Sequence, residues 1–183
     1  MGDLTFAPVS DYVAGLGESP VWSAHDNSVW WVDISGQRLL KTGAGDGETH
    51  SWATPEQIGF VVLTQTGRVL VGMETGLFWF DPGDGSFDLC AELGVDNVRF
   101  NDASVDTAGR LWAGTMDIDN TRPVGGLYLV GADLSLNPVI DGLMTVNGLA
   151  AEPGRLYISD SHPSVQTVWC AQLNDATGVL GPR

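Results

Sequence analysis

The chain repeats itself, and the repeat limits its fold more than any other feature. Four segments can be laid over one another: "ESPVWSAHDNSVWWVD" (18–33), "GFVVLTQTGRVLVGM" (59–73), "NDASVDTAGRLWAGTM" (101–116) and "NGLAAEPGRLYISD" (147–160). Each has a short opening strand, a polar turn and a second strand rich in β-branched and aromatic residues. The turns are Asp26-Asn27, Thr66-Gly67, Ala108-Gly109 and Pro153-Gly154, where glycine supplies the positive φ that closes a hairpin. Further strands follow, as in "GLFWFDPGDGSFDLCAEL" (76–93) and "TVWCAQLNDATGVLGP" (167–182). The second strands start at Val29, Val69, Leu111 and Leu156, intervals of 40, 42 and 45 residues. A period of about 40–45 residues carrying three or four strands predicts β-propeller blades. A sandwich has no reason to repeat whole four-strand units. The expected fold is therefore all-β, one propeller domain over 1–183 with about four blades, near 18–58, 59–100, 101–146 and 147–183.

Charge and composition narrow the function. The 183 residues suffice for one domain with a sizeable core. A net charge of −15 without any Lys/Arg cluster excludes nucleic acid as a partner and argues against an anionic membrane surface. An acidic surface tolerates cations without proving that one binds. No stretch approaches the ~20 apolar residues of a membrane span. The first twenty residues carry Asp3, Asp11 and Glu18 rather than an apolar leader, so a cytoplasmic location is expected. Cys90 and Cys170 form no disulfide framework or metal pattern and read as buried apolar thiols.

Counting back from the second-strand starts, the matched doorway positions are Glu18, Gly59, Asn101 and Asn147. In a propeller the innermost strand of each blade lines the central channel, so these positions face one another. Three carry side-chain oxygens, and Gly59 leaves space. One carboxylate and two amide carbonyls make a hard-oxygen set suited to Ca²⁺ or Mg²⁺ and acceptable to Mn²⁺ or Zn²⁺. Singly, each is also an ordinary turn residue. Three at one repeat position favour a site.

At these residues the sequence resembles the SMP-30/regucalcin/gluconolactonase family. The matching stretches are "GESPVW" (17–22), "VDI" (32–34), "RFNDASVDTAGRLWAGTM" (99–116), "GGLYLV" (125–130), "NGLA" (147–150) and "YISDS" (157–161), in the family's order and spacing. The resemblance implies a six-bladed propeller, one divalent metal (Ca, Zn, Mg or Mn) at the channel mouth, and hydrolysis of a sugar lactone. It implies Glu18 and Asn147 as metal ligands, Arg99, Asn101 and Asp119 as substrate contacts, and Asp102 supporting them from behind. The family's aspartate general base, in a Pro-Asp-Gly motif, falls beyond Arg183. Six blades at this period need roughly 250–290 residues, so the chain resembles a C-terminally truncated member. Alone, it is expected to be weakly active or inactive. The stretch "LTFAPVSDYVAG" (4–15), which in the family helps close the ring, is expected to lack its partner, and the open propeller edge invites self-association. The alternative to a lactonase is a non-catalytic, regucalcin-like propeller that binds calcium or another divalent metal, or an inactive fragment.

Other chemistries find no support. There is no Gly-x-Ser-x-Gly elbow. His25, His50 and His162 lack zinc spacing and read as exposed turn residues, with His162 placed near the channel mouth as the lesser reading. "GAGDGETH" (43–50) lacks the Lys-Ser/Thr of a phosphate loop and reads as a hairpin turn. "DPGDGSFD" (81–88) lacks the closing Glu of a calcium loop. The seven tryptophans are expected mostly on strands facing neighbouring blades.

Overall fold

Fifteen strands and no helix build residues 5–181, the part of the chain described by the computed structural model. The first sheet is β1 (Gly17–Ser23), β2 (Ser28–Asp33), β3 (Arg38–Gly43) and β4 (Thr49–Ala53). The second is β5 (Ile58–Leu63), β6 (Val69–Met73), β7 (Gly76–Phe80) and β8 (Phe87–Glu92). The third is β9 (Val98–Val105), β10 (Leu111–Asp117), β11 (Gly125–Val130) and β12 (Leu136–Leu143). The fourth holds β13 (Val146–Glu152), β14 (Arg155–Asp160) and β15 (Thr167–Gln172), and a Leu173–Leu180 bridge lies beyond it. Every pairing is antiparallel between sequence neighbours, which makes each sheet a propeller blade.

The hairpins form where the turn chemistry puts them. Asn27, Gly67, Gly109 and Gly154 have φ of 50°, 80°, 82° and 78°, the left-handed region that a tight turn with the twist of its strands requires. "GAGDGETH" and "DPGDGSFD" are the turns between β3 and β4 and between β7 and β8. In the second of these, Asp81 and Asp84 accept the N–H groups of Gly83 and Ser86 at 2.7 and 2.9 Å.

Opening strands of successive blades lie side by side, β1 against β5, β5 against β9 and β9 against β13. The core is consequently three apolar layers, each between two blades. Trp30, Val32 and Leu39 meet Ile58, Val71 and Phe80; Phe60 and Leu77 meet Phe100 and Leu111; Trp112 and Leu127 meet Leu156 and Ile158. Strands β6 and β10, covered on both faces, are buried throughout. Each buried large side chain contributes about 1.5–3 kcal/mol, so a blade draws its stability from its neighbours.

All seven tryptophans lie in strands. Trp30 and Trp52 of the first blade meet Phe80 of the second at 6.2 and 5.0 Å. Trp22 departs from the expectation, being 53% exposed. So does Cys170, which the alternation of β15 turns outward; only Cys90 is partly buried, its thiol donating to the Leu77 carbonyl at 3.2 Å. His50 lies in exposed strand β4 rather than in a turn and stacks on Trp52. The N-terminal segment lies on the first blade: Tyr12 packs edge-on to Trp31 and donates its hydroxyl to Asp33 at 3.2 Å. Leu4, with which that stretch begins, lies outside the described residues, as do residues 1–3, 182 and 183.

Candidate functional site

The four opening strands share a defect at one height. Glu18 pairs with Val32, Ile58 with Met73, Arg99 with Met116 and Asn147 with Ser159. Just beyond, every ladder slips by one residue, between Glu18 and Val21, Ile58 and Phe60, Phe100 and Asp102, and Asn147 and Ala150. Such a bulge bends the strand and re-aims its side chains. The registers therefore match Glu18 and Asn147 with Ile58 and Arg99. Gly59 and Asn101, which a residue count places at the doorway, belong to the bulges.

Glu18 and Asn147 share more than register. The residue after each is left-handed, Ser19 at φ 52° and Gly148 at φ 56°. For serine this conformation is uncommon, and here the Ser19 hydroxyl accepts the Val61 N–H of the next blade at 3.2 Å. Gly59 does leave space, but a Cβ there would collide with the Phe100 carbonyl. The neighbouring backbone fills the gap, not a ligand.

Arg99 is buried in the inter-blade region and turns back on its own bulge. Its Nη1 donates to Asn101 Oδ1 at 2.8 Å and to the Phe100 carbonyl at 3.0 Å, while the buried Nε has no partner. Burial pushes its guanidinium below the ordinary value, and the nearby Glu74 and Glu18 carboxylates oppose that shift. Asn101 Nδ2 donates to the Val146 carbonyl at 2.9 Å. Asp102 Oδ2 accepts the Leu149 N–H at 2.7 Å, and its Oδ1 accepts that of Ala103 at 2.8 Å. Burial raises the Asp102 carboxyl above the usual range, with the Leu149, Ala103 and Gly148 N–H groups acting against it. The third blade thus grips the chain on both sides of Asn147. Hydrogen bonds join Arg99, Asn101 and Asp102 to the strand that carries Asn147, and the Glu18 carboxylate is near enough to act on the Arg99 charge.

The donor chemistry of these residues fits a hard divalent cation. The Glu18 carboxylate accepts no hydrogen bond among the described residues and is exposed. Asn147 Oδ1 spends one lone pair on the Gly148 N–H at 2.9 Å, leaving the other free. Asn101 Oδ1 is occupied by Arg99, whose positive charge disfavours a cation there. The set is a partial one, and among the described residues no three acidic, histidine or cysteine side chains converge into a metal cluster.

Asp119, exposed in the loop after β10, accepts Asn97 Nδ2 at 2.9 Å. Asn97 also donates to buried Asp117 at 3.1 Å. Arg122 and Thr121 hold the Asp117 carboxyl well below the usual range. Further along, Thr145 donates to Asn120 Oδ1 at 2.6 Å, and His162 Nε2 lies 3.2 Å from the Asn120 carbonyl. The loop is fastened to two blades, and His162 is a bridge between them rather than a free turn residue. The Asn97 bridge escapes a reading of the sequence because its partners, Asp117 and Asp119, lie 20 and 22 residues away.

A family model described as "SMP-30/Gluconolactonase/LRE-like region" matches residues 16–183. The chain is 34% identical over 170 residues to the 6-deoxy-6-sulfogluconolactonase of Pseudomonas putida, covering 92% of this chain and 58% of that protein. It is 36% identical over 137 residues to the regucalcin of Danio rerio, covering 73% of this chain and 46% of that one. The crystal structure of a calcium-binding protein, regucalcin, from Agrobacterium tumefaciens superimposes with a TM-score of 0.88 at 23% identity, over 96% of this chain and 60% of that one. The chain spans about half to three-fifths of the length of these relatives.

Proposed function

Because this chain belongs to the SMP-30/gluconolactonase/LRE-like family, we propose that its mouth takes part in the hydrolysis of a sugar lactone. The reading is carried by one observation: Arg99 donates to Asn101, and Asn101 in turn donates to the Val146 carbonyl beside Asn147. Relatives named as lactonases support it. Glu18 and Asn147 would hold a divalent cation, which supplies Lewis-acid polarisation of a carbonyl when bound.

The chain's own residues do the rest of the orienting. Among the described residues Arg99 Nη2 carries no hydrogen bond, which leaves it to donate to a sugar hydroxyl. Asn101, held rigid between Arg99 and Val146, presents a fixed amide beside it. Polar groups placed to pair hydroxyls discriminate strongly against ligands that lack them. Asp119, fixed by Asn97, offers an acceptor at the rim for a further hydroxyl. Hydrolysis also needs a base for the attacking water.

A second reading, cation binding without catalysis, is favoured by the regucalcin relative and by the calcium-binding neighbour. One experiment separates the two. The purified chain is titrated with Ca²⁺ and Zn²⁺ by calorimetry and assayed on gluconolactone with and without EDTA. Hydrolysis above the spontaneous rate that EDTA and Glu18→Gln both remove supports the lactonase. Cation binding alone supports the second reading. Neither binding nor turnover overturns both.

A further inference from the structure

Resting on that reading of the mouth, we propose that Asp33 and Asp160 are positioning residues that set where Glu18 and Asn147 stand. A carboxylate ends or immediately follows the second strand of every blade: Asp33, Glu74, Asp117 and Asp160, at intervals of 41, 43 and 43 residues. In each blade it reaches back to the chain just before the opening strand. Glu74 accepts the Gln57 N–H at 3.0 Å, and Asp117 accepts the Asn97 side chain.

Blades one and four use a fuller form of this clamp. Asp33 accepts the N–H groups of Gly15 and Leu16 at 3.1 and 3.0 Å. Asp160 accepts those of Met144 and Thr145 at 2.8 and 3.1 Å. A return bond completes each, Ile34 N–H to the Leu16 carbonyl at 2.9 Å and Ser161 N–H to the Thr145 carbonyl at 3.0 Å. Both carboxylates are buried.

The clamped residues lie two and three positions upstream of Glu18 and of Asn147. Alternate residues share a strand face, so fixing Leu16 and Thr145 fixes the direction of the mouth side chains. Downstream, the left-handed Ser19 and Gly148 hold the other flank. Among the described residues, only the two blades that carry the candidate ligands combine a double N–H clamp before the doorway with a left-handed residue immediately after it. Groups that orient metal ligands from behind typically matter 10- to 100-fold in affinity.

Asp160→Ala, Asp160→Asn and the matching Asp33 variants of the full chain test this, with Val71→Ala as a core control of comparable stability loss. The readouts are hydrogen–deuterium exchange and calorimetric affinity for Ca²⁺ and Zn²⁺. Asp160→Ala is expected to speed exchange over 144–149 and to weaken cation binding about 10-fold or more. Asp160→Asn, which keeps one acceptor oxygen, is expected to fall between that and the parent. Val71→Ala is expected to lower stability and leave both readouts unchanged. Unchanged exchange over 144–149 in both Asp160 variants, or an equal effect in Val71→Ala, overturns the proposal. If the parent chain binds neither cation, the lactonase reading fails, and exchange alone judges the positioning.

Discussion

Asp102 on β9 accepts the backbone N–H of Leu149 on β13 at 2.7 Å, a side-chain bond that crosses from the third blade to the fourth. Asp102→Ala leaves that N–H unpaired in the inter-blade region, at a cost of about 1–3 kcal/mol. It also frees the bulge that carries Asn147. We expect a lower urea midpoint together with weaker cation binding, measured by fluorescence and calorimetry. A loss of stability with no change in binding would separate Asp102 from the mouth.

Gly59 makes room for its neighbour's backbone, not for substrate. Gly59→Ala drives a Cβ into the Phe100 carbonyl, and backbone on both sides leaves no flexible atom to yield. A loss of about 3 kcal/mol is expected, visible as a Tm lower by roughly 6–12 °C for a chain of this size. Gly67→Ala, at an open turn with φ 80° and no atom near its Cβ, is the comparison. It costs only the left-handed strain, about 1 kcal/mol.

Acid should unfold the chain through specific carboxylates. Burial pushes the Asp106 carboxyl up, but the Trp112 indole, the Arg110 N–H and guanidinium and the Ala108 N–H more than reverse it. Burial likewise pushes Asp33 up, and the Leu16, Gly36 and Gly15 N–H groups with the Tyr12 hydroxyl bring it down. A carboxylate depressed by folding contributes stability that is complete above its unfolded value, about 3.9. That stability is lost as pH falls through the folded value. Urea midpoints should therefore be insensitive to these two groups above about pH 5 and drop steeply below about pH 4. Asp106→Asn should lower stability at pH 7 by about 1–2 kcal/mol and make the acid drop shallower. Asp102, raised by burial, runs the other way: its stability contribution is fully present below the unfolded value and is lost as pH rises through the folded one.

Much of this architecture is legible in the sequence, and the parts that are not share a cause. Hairpins at Asn27, Gly67, Gly109 and Gly154 announce themselves because a left-handed turn needs few residue types. The blade period follows from them. A bulge adds one residue without any compositional mark, so counting aligns Gly59 and Asn101 with Glu18, where the ladders align Ile58 and Arg99. Arg99 and Asp119 enter only through resemblance, since neither falls at a repeat position that counting exposes. The clamps of Asp33 and Asp160 are hidden because their partners are backbone N–H groups, which any residue supplies. The exposure of Cys170 is equally hidden, because an apolar residue in an outer strand need not face inward.

Asn97 provides the last test, because its amide stands between two carboxylates. Its Nδ2 donates to Asp117 Oδ1 at 3.1 Å and to Asp119 Oδ2 at 2.9 Å, and its left-handed backbone, φ 59°, suits Asn or Asp equally. Asn97→Asp keeps shape and backbone while replacing the shared donor by a third negative group. Like charges within a few ångströms disfavour ionisation of one another. The variant should lose roughly 5 °C in Tm at pH 7 and recover part of it in acid, as the introduced carboxyl takes up a proton. If Asp119 contacts substrate as proposed, loss of its Asn97 tether should raise KM for a lactone with little change in kcat. Asn97→Gly, which keeps the backbone and adds no charge, should raise KM similarly without the acid recovery. A KM unmoved in both variants would remove Asp119 from the substrate contacts.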